Sequence, residues 1–243
     1  MSNWNALAEL DPLWTILSDP HKKFGKWDSA EFFDTGKHEA ERVLAMCNRQ
    51  GFRINYGRLL DFGCGVGRMT RGFSAEFRSC TGIDVSETMV GLARQFNSDC
   101  PHCEFIASES AALPFANNSF DFIFSVLVLQ HLPTRDSILN CIAEFVRVAK
   151  DGGAIVFQLP IQVPARRRIQ LRRRLWSLLS ALGISQRWQF RSLGLTPIQI
   201  NGIARAKVER FLAERGARVH AVERYDAQEG EFHSNYYLAV KSK

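Results

Sequence analysis

An apolar pair, Leu59-Leu60, leads into Asp61-Phe62-Gly63-Cys64-Gly65-Val66-Gly67-Arg68-Met69, an acid followed by three glycines on alternate positions. Residues of these types at this spacing suit a nucleotide-like ligand. Glycine lets the backbone come close to it and point amide N–H groups at it, where a side chain would collide. The spacing also separates ligands. A dinucleotide loop reads G-x-G-x-x-G, and counted from Gly63 its last glycine would fall on Arg68. Roughly twenty residues beyond the glycines, Cys80-Thr81-Gly82-Ile83-Asp84 reads as a second strand ending in a carboxylate able to accept both ribose hydroxyls. Asp84 could instead cap the following helix, with Ser86 and Glu87 beside it, and the two roles are compatible.

The arrangement D-x-G-x-G-x-G resembles motif I of the class I S-adenosylmethionine-dependent methyltransferases. The resemblance continues through Glu87-Thr88-Met89-Val90-Gly91-Leu92-Ala93 and through Phe105 to Phe115, which is similar to "G-D-A-x-x-L-P-F" with Glu109 where aspartate is commoner. It extends over Phe120 to Leu132, like the fourth strand and its exit loop. Arg147-Val148-Ala149-Lys150-Asp151-Gly152-Gly153 resembles "R-V-L-K-P-G-G", with Asp151 in place of proline. Residues 55–160 carry the likeness. It implies S-adenosylmethionine as cofactor: Asp61 toward its ammonium group, often through water, Asp84 on the ribose, Met89 against the adenine, and Glu109 or Ser110 on the adenine amino group. Carried over position by position, the contact set also includes Gly63, Cys64, Gly65, Gly67, Arg68, Val85, Ser125, Val126 and Gln130.

These residues need a scaffold that brings strand ends together. Strands are expected near 58–62, 80–84, 103–106, 121–126, 153–158, 217–225 and 235–241, with helices between the first six. This alternation predicts an α/β fold with a mainly parallel, doubly wound sheet. Only Ala227 to Glu231 separates the last two strands, too little for a helical crossover, so they must be antiparallel. The family resemblance implies a Rossmann-like seven-stranded sheet of order 3-2-1-4-5-7-6. Ligands bind such sheets beyond the carboxyl ends of the strands, where the order reverses. A helix is expected from Arg68 to about Phe77 and an amphipathic one from Glu39 to Met46. Gly152-Gly153 suit a helix end passing into the fifth strand.

The chain has 243 residues, 46% of them hydrophobic, and suits a single domain. Its divisions are expected at 1–50, an N-terminal helical segment; 51–160, the cofactor core; 161–210, a basic cap; and 211–243, the final strand pair. No long apolar run suggests a membrane span, the start lacks the order of a secretion signal, and six irregularly spaced cysteines read as reduced thiols, so a cytoplasmic setting is expected. Cys100-Pro101-His102-Cys103 is a C-x-x-C, but it lies between a helix and the third strand and has no second ligand pair, so no metal site is expected.

Two segments should govern the methyl acceptor. Trp4, Trp14, Phe24, Trp27, Phe32 and Phe33 crowd the N-terminal segment, either as a lid over the site or as an ordinary helical layer. There Thr35 or Gly36 could touch the methionine end of the cofactor. The stretch 160–207 carries Arg166, Arg167, Arg168, Arg172, Arg173, Arg174, Arg187, Arg191, Arg205 and Lys207 and no acid, against a net charge of +6 for the whole chain. Leu171, Leu175, Leu178 and Leu182 recur between the arginines at helical spacing, a basic amphipathic helix. A solvated cap, contact with an anionic acceptor or acidic lipid surface through 165–191, and nucleic-acid binding are the alternatives. Nucleic acid is disfavoured, because no RNA-binding module accompanies the stretch and aromatic residues are not regularly interleaved.

The expected reaction is in-line methyl transfer without a metal, to a small-molecule or lipid-like acceptor, with oxygen the preferred atom. Orientation in a dry site supplies most of the acceleration. His131, after the fourth strand, is the candidate general base or a cofactor contact. His21, His38, Tyr225, His233 and Tyr237 are weaker candidates. An enzyme acting on RNA and a non-catalytic protein of the same fold are the alternative functions.

Overall fold

The computed structural model describes residues 3–163, 169–225 and 233–242. Its strands are β1 (Arg58–Phe62), β2 (Ser79–Asp84), β3 (Cys103–Ala107), β4 (Phe120–Ser125), β5 (Ala149–Pro160), β6 (Ala217–Tyr225) and β7 (Ser234–Lys241). They form a seven-stranded sheet of order β3-β2-β1-β4-β5-β7-β6, as expected. The first five strands pair with one another in parallel, and β7 runs antiparallel to both β5 and β6. The connector Ala227 to Glu231 lies outside the described residues. β5 begins at Ala149, earlier than expected. Gly152 and Gly153 therefore lie inside it, beside the register shift between Phe120 and Phe122 where Gly152 takes a φ of +76°, and not at a helix end.

The helices are α1 (Asn3–Leu10), α2 (Pro12–Ile16), α3 (Ser29–Arg49), α4 (Arg68–Phe73), α5 (Glu87–Phe96), α6 (Arg135–Val148), α7 (Leu171–Ala181), α8 (Gln186–Ser192) and α9 (Arg205–Glu214). Alternate strand residues point to opposite faces, which builds two cores. Leu60, Ile123, Ile155 and Phe157 pack on Ile138, Ile142 and Phe145 of α6 and on Val208 and Leu212 of α9. Leu59, Phe122, Phe124 and Val156 pack on Val43 and Cys47 of α3 and on Met69 and Phe73 of α4.

The helix expected from Glu39 in fact starts at Ser29, because the Asp28 side chain accepts the Glu31 amide at 2.9 Å and caps an earlier turn. Thr35 and Gly36 consequently lie within α3. A Cβ at Gly36 would run into the Arg68 backbone carbonyl, and one at Gly72 into the carbonyl of Gly36. α3 and α4 thus cross in backbone contact, which sets where Arg68 sits. α4 itself stops at Phe73, short of Phe77, although Phe77 stays buried.

The N-terminal aromatics act mainly as a packed layer. Trp27, Phe32 and Phe33 form a chain of edge contacts, and Trp14 and Phe24 pack on Phe190 of α8. The basic stretch forms α7 and α8, with Trp176, Phe190 and Leu195 turned toward Leu10 and Trp14. Arg166, Arg167 and Arg168 lie outside the described residues.

Candidate cofactor and acceptor site

A cavity of about 1030 Å³ opens beyond the carboxyl ends of the parallel strands. Its wall includes Asp61, Gly63, Cys64, Gly65, Arg68, Asp84, Val85, Met89, Glu109, Ser110, Val126, Gln130 and His131, so thirteen sequence-expected residues from six segments converge on one space. Gly67 and Ser125 are not on that wall. Gly67, at φ +85°, turns the chain into α4 against Asn97 and Phe105, and the Ser125 hydroxyl donates to the Phe62 carbonyl at 3.0 Å, tying β4 to β1.

The glycine loop folds onto β2. The amides of Gly63 and Cys64 both donate to the Ile83 carbonyl, at 2.8 and 3.1 Å, and that of Gly67 to Cys64 at 2.9 Å. The Gly65 amide donates to Asp84 Oδ2 at 2.9 Å, and the Ser86 amide to Oδ1 at 2.9 Å. These amides therefore close the turn and do not point at a ligand. The glycines matter for their left-handed backbone, φ +77° at Gly63 and +54° at Gly65, and for close approach: a Cβ at Gly65 would meet Ile16 of α2. The cap of α5 is Ser86, which accepts the Met89 amide at 3.2 Å and donates to Asn5 of α1 at 2.6 Å. Asp84 supports that helix start and still faces the cavity. Burial raises its pKa, and the amides of Ser86 and Gly65 pull it back.

Asp61 is buried beneath the loop and accepts the Thr70 hydroxyl at 2.6 Å. Burial pushes its pKa up to about 6, while Thr70 and the nearby Arg68 act in the opposite direction. Arg68 is also buried. One guanidinium nitrogen donates to Thr35 at 3.3 Å, and Nε has no hydrogen-bond partner. Thr35 thus serves the site by holding Arg68, since neither Thr35 nor Gly36 reaches the cavity wall.

The loop after β3 that carries Glu109 and Ser110 is clamped from α6. Glu144 accepts the Leu113 amide at 2.7 Å, and Arg147 donates to the carbonyls of Leu113 and Phe115 at 2.9 and 2.7 Å. The Arg147 of the "R-V-A-K" stretch is therefore a strut for the loop after β3. Asp121 binds the Arg58 amide and Lys150 at the opposite end of the sheet, away from the cavity.

His131 sits in a directed chain of hydrogen bonds. The Leu127 amide donates to Gln158 Oε1 at 3.1 Å, Gln158 Nε2 to Gln130 Oε1 at 3.3 Å, and Gln130 Nε2 meets His131 Nε2 at 3.2 Å. His131 Nδ1 lies 2.7 Å from the Gln199 carbonyl. An amide can only donate and a carbonyl can only accept, so the two ends orient every member between them. Nδ1 carries the proton, and Nε2 is the free base. Desolvation lowers the His131 pKa, and the bond to Gln199 opposes the shift. Trp4 of α1 packs edge-on to the ring with centroids 5.4 Å apart.

Among the other acid–base candidates Tyr225 reaches the cavity, with its pKa raised by burial, whereas His21, His38, His233 and Tyr237 do not. Gln158 and Gln199 were not recognisable in the sequence, because a lone glutamine in a strand or linker carries no pattern. Only the neighbouring His131, in a loop already suspected, signals them.

Residues 60–157 match the family model described as a methyltransferase domain. The chain is 30% identical over 144 residues to an O-methyltransferase of Aspergillus nomiae, covering 56% of this chain and 64% of that protein. It is 26% identical over 152 residues to the demethylmenaquinone methyltransferase of Staphylococcus epidermidis, covering 61% and 60%. The matches thus span less than two thirds of those relatives. Among solved structures, magnesium protoporphyrin IX methyltransferase from Synechocystis, with bound SAH, superposes at a TM-score of 0.62 with 18% identity, covering 98% of this chain and 96% of that one. That likeness carries the fold. Residues 60–157 are thus similar to a methyltransferase domain, and the sheet order and the glycine turn with its two carboxylates are those implied by the resemblance to the class I S-adenosylmethionine-dependent methyltransferases.

Proposed function

We propose that the protein transfers the methyl group of S-adenosylmethionine to a small-molecule or lipid-like acceptor, on oxygen. One observation carries the reading: a single cavity joins a glycine turn, the buried carboxylate of Asp61, the half-buried carboxylate of Asp84 and a buried arginine whose Nε lacks a partner. The residues present suit the cofactor. Asp84 receives the ribose hydroxyls on the lone pairs that Gly65 and Ser86 leave free, Asp61 faces the ammonium group, and Arg68 Nε meets the carboxylate. Met89 and the Glu109–Ser110 loop flank the adenine. When bound, the cofactor supplies a sulfonium-borne methyl group as the electrophile.

The rest of the wall favours an acceptor with apolar surface. Trp4, Leu17, Leu132, Pro133, Ile198 and Ile200 line it from the N-terminal helices, the loop after β4 and the return from the cap. At about 1030 Å³ the cavity is as large as the biggest common ligand pockets, roughly 300–1,000 Å³, which leaves room for an acceptor beside a cofactor. The neutral His131 accepts the acceptor's hydroxyl proton at Nε2 once Gln130 yields that position. The apolar side chains on the acceptor side of the wall displace water from the reacting groups and hold the nucleophile in line. Calorimetric titration with S-adenosylmethionine, followed by transfer of labelled methyl into organic-extractable hydroxylated acceptors, tests the reading. Saturable binding and label in the organic phase are expected. Absence of binding, or preferential binding of NAD, overturns it.

A further inference from the structure

We propose that α7 and α8 form a docking surface for an anionic lipid bilayer, seated through the leucine row of α7. Leu171, Leu175, Leu178 and Leu182 recur at helical spacing and fall within one narrow stripe. They are 67%, 43%, 58% and 68% exposed. A surface helix normally buries such a stripe. Here the helix faces the protein through Trp176, 3% exposed, which packs with Phe190, Leu195, Leu10 and Trp14, so the leucines are turned outward.

The charges around that stripe decide what covers it. Arg172 and Arg174 flank the leucines on either side along the helix surface, and both are exposed, as are Arg187 and Arg191 of α8. Trp188 and Leu193 of the same region are exposed at 50% and 43%. Residues 169–193, which span both helices, contain five cations and no acid. A second copy of the chain would bring like charges face to face. Nucleic acid would use the arginines and leave the leucines in water. An anionic bilayer takes both: leucines enter the boundary of the acyl region, while arginine stems lie along it and their guanidinium groups stay at the headgroups. The opposite charge of the two surfaces is the argument for this partner.

The surface is also joined to the cavity. The cap leaves the sheet after β5 and returns through Ile198 and Ile200, both on the cavity wall, with the Gln199 carbonyl bonded to His131. Docking therefore holds the mouth region near the bilayer and shortens the path of an amphiphilic acceptor. That consequence rests on the methyl-transfer reading. Docking itself does not.

The test is vesicle flotation of the full chain, without cofactor, on phosphatidylcholine vesicles with and without phosphatidylglycerol, at low and high salt. Partition should be at least about tenfold greater on the anionic vesicles and should weaken with salt. The double variant Leu175→Glu/Leu178→Glu should lose about tenfold or more of that binding with melting temperature and cofactor affinity unchanged. Arg174→Gln/Arg187→Gln/Arg191→Gln should lose a similar factor and most of the salt dependence. Equal partition onto neutral and anionic vesicles, or a leucine variant that floats like the parent, overturns the proposal. So does salt-sensitive binding to single-stranded RNA that exceeds vesicle binding, or a dimer in sedimentation that the leucine variant abolishes. Vesicle binding with a blank cofactor titration would sink the methyl-transfer reading alone.

Discussion

The Gly65 amide donates to Asp84 Oδ2 at 2.9 Å, so the turn leaving β1 is fastened to the carboxylate that ends β2. Asp84 also takes the Ser86 amide at 2.9 Å, and the three residues lock loop, strand and α5 into one unit. Burial alone disfavours the charged carboxylate, and two amide donors offset part of that cost. The side chain that would receive the ribose is fixed before any ligand arrives, which removes its ordering cost from binding.

Asp84→Ala should therefore weaken S-adenosylmethionine binding more than tenfold, since a desolvated acid–diol contact is worth about 2–3 kcal/mol. It should also lower the melting temperature of the ligand-free protein by releasing two amides. Calorimetry checks the first effect and thermal denaturation the second. Unchanged affinity would rule out the ribose role even if stability falls.

Cofactor affinity should depend on Asp61 ionisation. Its pKa of about 6 means that lowering pH through that value protonates it and removes the counter-charge to an ammonium group. Affinity should fall up to tenfold per pH unit below about 6 and level off above it. Asp61→Asn should bind weakly at every pH and show a flat profile. Folding stability follows the opposite sign. A carboxyl raised from 3.8 contributes stability that is complete at low pH and lost as pH rises through about 6. Heat denaturation of Asp61→Asn, which stays neutral, should lack that loss.

His131→Ala should lower single-turnover rate by about a hundredfold or more while leaving cofactor affinity within a few-fold, as expected for loss of a general base. Because burial lowers the His131 pKa, the acid limb of the rate at saturating cofactor should lie below 6.5. Rapid-quench measurements across pH report both. Reduced affinity with an unchanged rate per bound complex would make His131 a cofactor contact.

Gly36→Ala should destabilise the fold by about 1–3 kcal/mol, because its methyl would press into the Arg68 backbone where α3 crosses α4. The melting temperature should drop by several degrees, and cofactor affinity should fall with it as Arg68 is displaced. An unshifted melting curve would mean that the helices separate without cost.

Most strands were legible in the sequence because they are short apolar runs bounded by turns, and the lack of room between β6 and β7 forces their antiparallel pairing; the strand order followed from the family resemblance. Asp61, the glycines and Asp84 were legible because a backbone turn against a ligand tolerates few residue types, which leaves a pattern in adjacent positions. The start of α3 was misjudged because residues 29–38 were not read as helix, whereas Asp28 caps a turn there and Gly36 makes the contact with a helix distant in sequence. The amides of the glycine turn could not be assigned either, since their acceptors, Ile83 and Asp84, lie on another strand. Likewise the protonation of His131 follows from a chain running from Leu127 to Gln199, and the outward face of the leucine row from where Trp176 finds its core. Spacing along the chain records periodicity and turn chemistry. Which face is buried, and which donor meets which acceptor, is decided only when remote segments pack together.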